Sequence, residues 1–222
     1  MTYLTTLIIP GYHGSGDEHW QTWIEQRIDG AKRVEQDWDK PILAYWAQNI
    51  RRAIDAADGA VWLIAHSFGC LASVAASADR FGKIAGLMLV APANTSRFTP
   101  GGVIQEESDN RHESVHDLLP ASILPFATLL IASTDDPWMP HAEARRVAES
   151  WGSRFISIGA AGHINAASGY GPWPEGLQIF RQLQESVNPD DLENSAPRGA
   201  TLRGRSGYLA RIRHVTRRHF GY

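Results

Sequence analysis

Short apolar runs alternate along this chain with stretches whose apolar residues recur at helical spacing. The runs cover residues 5–9, 31–35, 61–65, 84–90, 126–132 and 155–158, and glycine, proline or polar residues follow each of them. They read as buried strands, the second being the weakest. Between them lie amphipathic segments. Trp20, Trp23, Ile24 and Ile28 share one face of a helix that Ser15 or Asp17 could cap. Leu43, Trp46, Ile50 and Ile54 form one stripe of a helix over 42–57, which Asp58-Gly59 ends. A small-residue helix over 71–76 closes near Asp79-Arg80, another covers 141–151, and Leu177, Phe180 and Leu183 point one way in a last helix over 174–186. Strand and helix in strict alternation with short links predict a parallel sheet of the α/β class.

Two regions break the rhythm. Residues 91–125 hold Pro92, Pro100, Gly101, Gly102, Pro120 and Pro125, with an acidic polar stretch over 106–113. This reads as an excursion above the sheet with one short helix, a candidate small lid rather than a second domain. From Asn188 onward the composition changes to seven arginines against three acidic residues. The expectation is a domain over 1–187 and a basic, partly disordered extension over 188–222, with a weak helix at 208–215.

Length and charge narrow the classes. The chain has 222 residues, enough for one domain with a large core. A net charge of −3 gives no reason to expect nucleic acid or membrane partners, and nothing supports a protein partner. The single cysteine excludes an internal disulfide, and Met1-Thr2-Tyr3 leads into a strand without a signal-peptide pattern. The longest apolar run, 84–93, is interrupted by Gly86 and Pro92 and is too short to span a bilayer. These features point to a cytoplasmic protein. Eight tryptophans, several in loops, suggest an aromatic-lined cleft.

The chemistry begins where the run 61–65 meets His66-Ser67-Phe68-Gly69 and a helix follows at once. Strand, tight turn and helix with a serine at the apex is the nucleophile elbow, G-x-S-x-G, with Ala65 in place of the first glycine. Small residues flank the serine because strand and helix pass very close there. A serine hydroxyl needs a base, and the base needs an orienting acid. In open parallel sheets such groups gather at the carboxyl ends of strands. Asp135 and Asp136 follow one strand and His163 follows the next, giving the chain order Ser67, Asp136, His163. Asp135 is the fallback acid. Of the other histidines, His112, His116 and His141 read as surface residues, and His66 adjoins Ser67 but should turn away from it. His13 and His19 flank the glycine loop 11–16 and are candidates to line a cleft. That loop lacks the Lys-Ser/Thr ending of a P-loop.

These stretches resemble the retinoblastoma-binding protein 9/YdeN family of serine hydrolases. The matching residues are Pro10-Gly11-Tyr12-His13-Gly14-Ser15 with His19-Trp20, His66-Ser67-Phe68-Gly69, Ser133-Thr134-Asp135-Asp136-Pro137-Trp138-Met139-Pro140, and Gly162-His163. The resemblance covers roughly residues 1–186. It implies an α/β-hydrolase-like three-layer sandwich, a mostly parallel sheet with helices on both faces and a minimal lid. It also implies a triad in which the aspartate before proline is the acid, which is Asp136. The tail falls outside the pattern.

The expected reaction is cleavage of a small ester through an acyl-enzyme, with no cofactor and no metal. The backbone N–H groups of Tyr12 and Phe68 would receive the oxyanion. Tyr12, His13, Trp38 and Trp138 are the candidates for the substrate pocket, and the partner is a small-molecule acyl substrate. An aminopeptidase, amidase or thioesterase with the same triad is an alternative, as is a non-catalytic binding module on this scaffold. Cys70 is a poor rival nucleophile, better read as a small buried hydrophobe.

Overall fold

The computed structural model describes residues 4–104 and 114–188. Its centre is a sheet of β1 (Thr5–Ile9), β2 (Lys32–Arg33), β3 (Val61–His66), β4 (Ile84–Val90), β7 (Ala127–Ala132) and β8 (Arg154–Ser157). The spatial order is β2-β1-β3-β4-β7-β8, and every pairing in it is parallel. Parallel neighbours require crossovers, which α-helices supply except between β4 and β7, and helices cover both faces of the sheet.

The period-2 alternation of strand side chains divides the core in two. Leu7, Ile9, Leu63, Ala65, Leu87, Leu89, Leu130 and Ala132 face α2 (Leu43–Asp55), α3 (Phe68–Ser77) and α4 (His141–Trp151). Ile8, Trp62, Ile64, Met88, Val90, Leu129 and Ile131 face α1 (Trp20–Glu25) and α5 (Pro174–Glu185). This is the three-layer sandwich expected from the sequence. Gly86 makes room for one large member of the second core. A Cβ there would lie 2.5 Å from the Trp62 indole and 2.8 Å from the Ala127 carbonyl oxygen.

Some boundaries differ from the expectation for identifiable reasons. Neither Ser15 nor Asp17 caps α1. His19 does, its Nδ1 accepting from the Gln21 N–H at 3.1 Å, while the Ser15 hydroxyl donates to the Gln21 side chain at 2.7 Å. The helix stops at Glu25, so Ile28 packs from the following turn. β2 contracts to two residues, and the Arg33 side chain beside it reaches Glu25 at 2.6 Å and the Ser15 carbonyl. β8 sits one residue earlier than the apolar run, and α3 starts at Phe68, directly on the elbow.

The excursion holds two single-turn 3-10 helices, Thr95–Arg97 and Val115–Leu118. Between them lies a small antiparallel hairpin of β5 (Phe98–Thr99) and β6 (Gly102–Val103). These two turns are the helical elements among the described residues of the excursion. The acidic stretch and His112 fall within 105–113, outside the described residues, as does the extension from residue 189 onward. Among the described residues no helix is long and apolar enough to cross a membrane.

Candidate active site

Ser67 has φ 51° and ψ −124°, a conformation that L-residues other than glycine rarely adopt. It ends β3 and begins α3, and its N–H is tied to the Val90 carbonyl at 3.1 Å. Two glycines make the turn possible. A Cβ on Gly69 would meet the Ile9 carbonyl oxygen at 2.6 Å, and one on Gly11 would meet Ser67 Cβ at 2.7 Å. The end of β1 thus presses against the elbow from the side. Ala65 is fully buried in the first core, so a methyl group is tolerated where the usual pattern has its first glycine. His13, Ala91 and Ile164 also have positive φ, and they too lie just beyond the carboxyl ends of strands. Strain therefore gathers at the end of the molecule that carries the polar groups.

Three of the sequence-predicted residues meet there. His163 Nε2 lies 2.9 Å from Ser67 Oγ, and His163 Nδ1 lies 2.9 Å from both oxygens of Asp136. A carboxylate only accepts, so Nδ1 carries the imidazole proton and Nε2 is left to accept from the serine hydroxyl. The side chains of His163 and Asp136 are 9% and 2% exposed, so the pair acts in a low dielectric. Ser67 is half-buried, reachable from outside.

Asp135 has a different task. Its Oδ1 accepts from the Ser133 hydroxyl at 2.6 Å and from the N–H groups of Ala161 and Gly162 at 2.8 Å each. The Ser133 hydroxyl and these N–H groups hold its carboxyl below the usual range. The loop bearing His163 is thereby fastened to the strand end bearing Asp136. The His163 N–H donates to Ser168 Oγ at 3.1 Å, and Trp20 Nε1 donates to the Ile164 carbonyl at 2.8 Å.

Beneath His163 lies a buried polar group that the sequence reading left unpaired. His66 does turn to the face of α1 and α5, as strand alternation requires. There its Nε2 donates to the His163 carbonyl oxygen at 2.9 Å. The rings of His19, His66 and His163 follow one another at centroid spacings of 4.9 Å. Burial, then the neighbouring His163 and His19, hold His66 well below its ordinary value. Burial, then Arg33 and His163, lower His19 to about 4. Both are therefore neutral near pH 7. Gln21 Nε2 donates to the carbonyls of Ile9 and Ile64 at 3.1 Å, bridging the ends of β1 and β3.

The pocket candidates separate. Trp38 packs edge-on against Trp46 and beside Gly14, on the first core. His13 is exposed and pairs with Asp39 at 2.9 Å. Trp138 stands at the rim, 47% exposed, its ring 6.3 Å from that of His163 and its N–H on Asp136 Oδ1 at 2.8 Å. His19, expected near the cleft, is buried. His141 is more than a surface residue, since its Nε2 lies 2.9 Å from Ser157 Oγ and its ring packs on Phe155. No hydrogen bond within the described residues takes up the N–H of Tyr12 or of Phe68. Cys70 is fully buried, and burial pushes its thiol pKa far up, so it stays protonated.

Comparison with known proteins bears on the family and the fold. A family model described as serine hydrolase matches residues 6–182. A YdeN-like hydrolase from Pectobacterium atrosepticum is 38% identical, with 84% of this chain and 93% of that one covered and a TM-score of 0.72. The ydeN gene product of B. subtilis is 20% identical over 82% of this chain and 100% of that one, with a TM-score of 0.61. Est1E from Butyrivibrio proteoclasticus, solved with ferulic acid bound, shares the fold at 15% identity and a TM-score of 0.59, over 82% and 87% of the two chains. No curated protein matches the chain.

Proposed function

The chain belongs to the serine hydrolase family, and on that premise we propose that it hydrolyses small carboxylic esters through an acyl-enzyme formed on Ser67. The observation that carries this reading is the unbroken hydrogen-bonded line from Ser67 Oγ through His163 to Asp136. As Oγ attacks the ester carbonyl carbon, its proton passes to His163 Nε2. Asp136 holds the tautomer and stabilises the imidazolium that forms. The oxyanion is received by the N–H groups of Tyr12 and Phe68, which have no competing acceptor among the described residues. Each such donor contributes roughly 3 kcal/mol to the transition state. The positive end of α3 adds to the same field. The C–O bond then breaks, and the alcohol leaves with the proton from Nε2. Water attacks the acyl carbon, giving its proton to His163, and the acid departs as Ser67 Oγ is reprotonated.

Fluorophosphonate labelling of wild type and Ser67→Ala, followed by a panel of p-nitrophenyl esters and aminoacyl arylamides, tests the proposal. The expected result is labelling of wild type only, with ester turnover that Ser67→Ala abolishes. Labelling that persists in Ser67→Ala would overturn the assignment of the nucleophile. Arylamide turnover exceeding ester turnover would replace the esterase by an amidase. Absence of both labelling and turnover would favour a binding role.

A further inference from the structure

The excursion after β4 crosses the site from α3 to the loop that bears Asp136. Phe98 anchors one end, its ring 4.6 Å from that of Phe68, the residue next to Ser67. The preceding residue, Arg97, lays its guanidinium 4.1 Å over the Trp138 indole. That indole is itself 6.3 Å from the His163 ring, so the cation stands one aromatic ring away from the imidazole. Arg97 and Trp138 are both exposed. Stacking fixes the guanidinium plane while leaving its N–H edge able to grip a carboxylate through two hydrogen bonds.

Three aspartates among the described residues near the same opening are already engaged. Asp39 pairs with His13, Asp135 holds the Ser133 hydroxyl and two loop N–H groups, and Asp136 holds His163. Among the described residues the opening thus presents the Arg97 cation, and the three aspartates named here are each held by a partner.

We infer that Arg97 and Trp138 form a subsite for an anionic acyl group, making the substrate class esters that carry a carboxylate a few bonds from the scissile carbonyl. This rests on the reading of Ser67 as the nucleophile. The aliphatic spacer lies across the indole, and the carboxylate meets the guanidinium edge. A half-ester of a five-carbon dicarboxylic acid has this form.

The test uses the full chain, of which a separate aliquot is titrated with a fluorophosphonate to count reactive Ser67 while the rest stays unlabelled. Two substrates are then compared: mono-p-nitrophenyl glutarate, and the same compound with its free carboxylate methylated. A charge-assisted bidentate contact predicts a kcat/KM ratio of about ten in favour of the anion. The ratio is expected to fall to about one in Arg97→Gln and to an intermediate value in Arg97→Lys, with the change lying mainly in KM. Rising salt should shrink the wild-type ratio. A wild-type ratio near one, a ratio unchanged in Arg97→Gln, or unlabelled enzyme that turns over neither ester although a separate aliquot labels would each overturn the subsite. Absence of labelling would instead overturn the hydrolase reading on which it rests.

Discussion

The imidazole of His66 donates from Nε2 to the backbone carbonyl of His163 across 2.9 Å, so the residue preceding the proposed nucleophile supports the proposed base. The contact spans 97 residues of sequence and is fully buried. It fixes the height of the His163 main chain, while Asp136 fixes the ring.

His66→Phe removes the donor and leaves a buried carbonyl oxygen without a partner, a loss of about 1–3 kcal/mol. The expected result is a fall in kcat of about tenfold or more with KM little changed, because a small misplacement of the base acts on the chemical step. His66→Gln keeps an N–H at similar reach and should recover part of kcat. Steady-state kinetics of the two variants decides. Equal kcat in both would show that the hydrogen bond has no part in positioning.

The adjacent carboxylates should respond unequally to loss of charge. Asp136→Asn presents an amide to Nδ1 and favours the wrong tautomer, for which a loss on the order of 10⁴ in kcat is expected with the fold retained. Asp135→Asn weakens the clamp on the N–H groups of Ala161 and Gly162. Its kcat should fall by only about tenfold, with a lower Tm, as expected for a positioning group. Comparable kcat losses in the two variants would contradict this division of roles.

Acid should destabilise the fold through its buried histidines. His19 titrates near 4 in the folded chain against an ordinary 6.5, so the unfolded chain binds more protons between those values. The His19 contribution is therefore fully present above pH 6.5, falls as pH drops through the window, and is spent below pH 4. The loss from His19 is up to about 3 kcal/mol. His66 acts in the same direction. His19→Asn retains a side-chain cap for α1 without the titration. Urea unfolding from pH 4 to 7 should give a shallower slope for it than for wild type. An identical slope would show that His19 does not carry the effect.

Much of this was legible in the sequence where local chemistry and burial agree. The run 84–90 and the helix 141–151 have the predicted bounds. The first is apolar throughout, and the second is closed by Pro140 and by Gly152 at φ 66°. Ser67 and His163 could be named because elbow spacing and strand-end placement survive in one dimension. The choice between Asp135 and Asp136 depends on the direction each side chain takes from one loop, and only the family resemblance favoured Asp136. The partners of His66, Gln21 and Arg97 depend on which distant chain packs alongside. Periodicity places His66 on the face of Trp62 and Ile64, yet gives no hint of the His163 carbonyl above it.

The sheet ends in two brief borders, β2 with two residues and β8 with four. Along β8 the ring of His141 and the guanidinium of Arg145 bear on Phe155, crowding that margin with bulky side chains. A neighbouring molecule seeking to add its own strand would find little free ladder on either side. Edge strands this short disfavour edge-to-edge pairing with a second molecule.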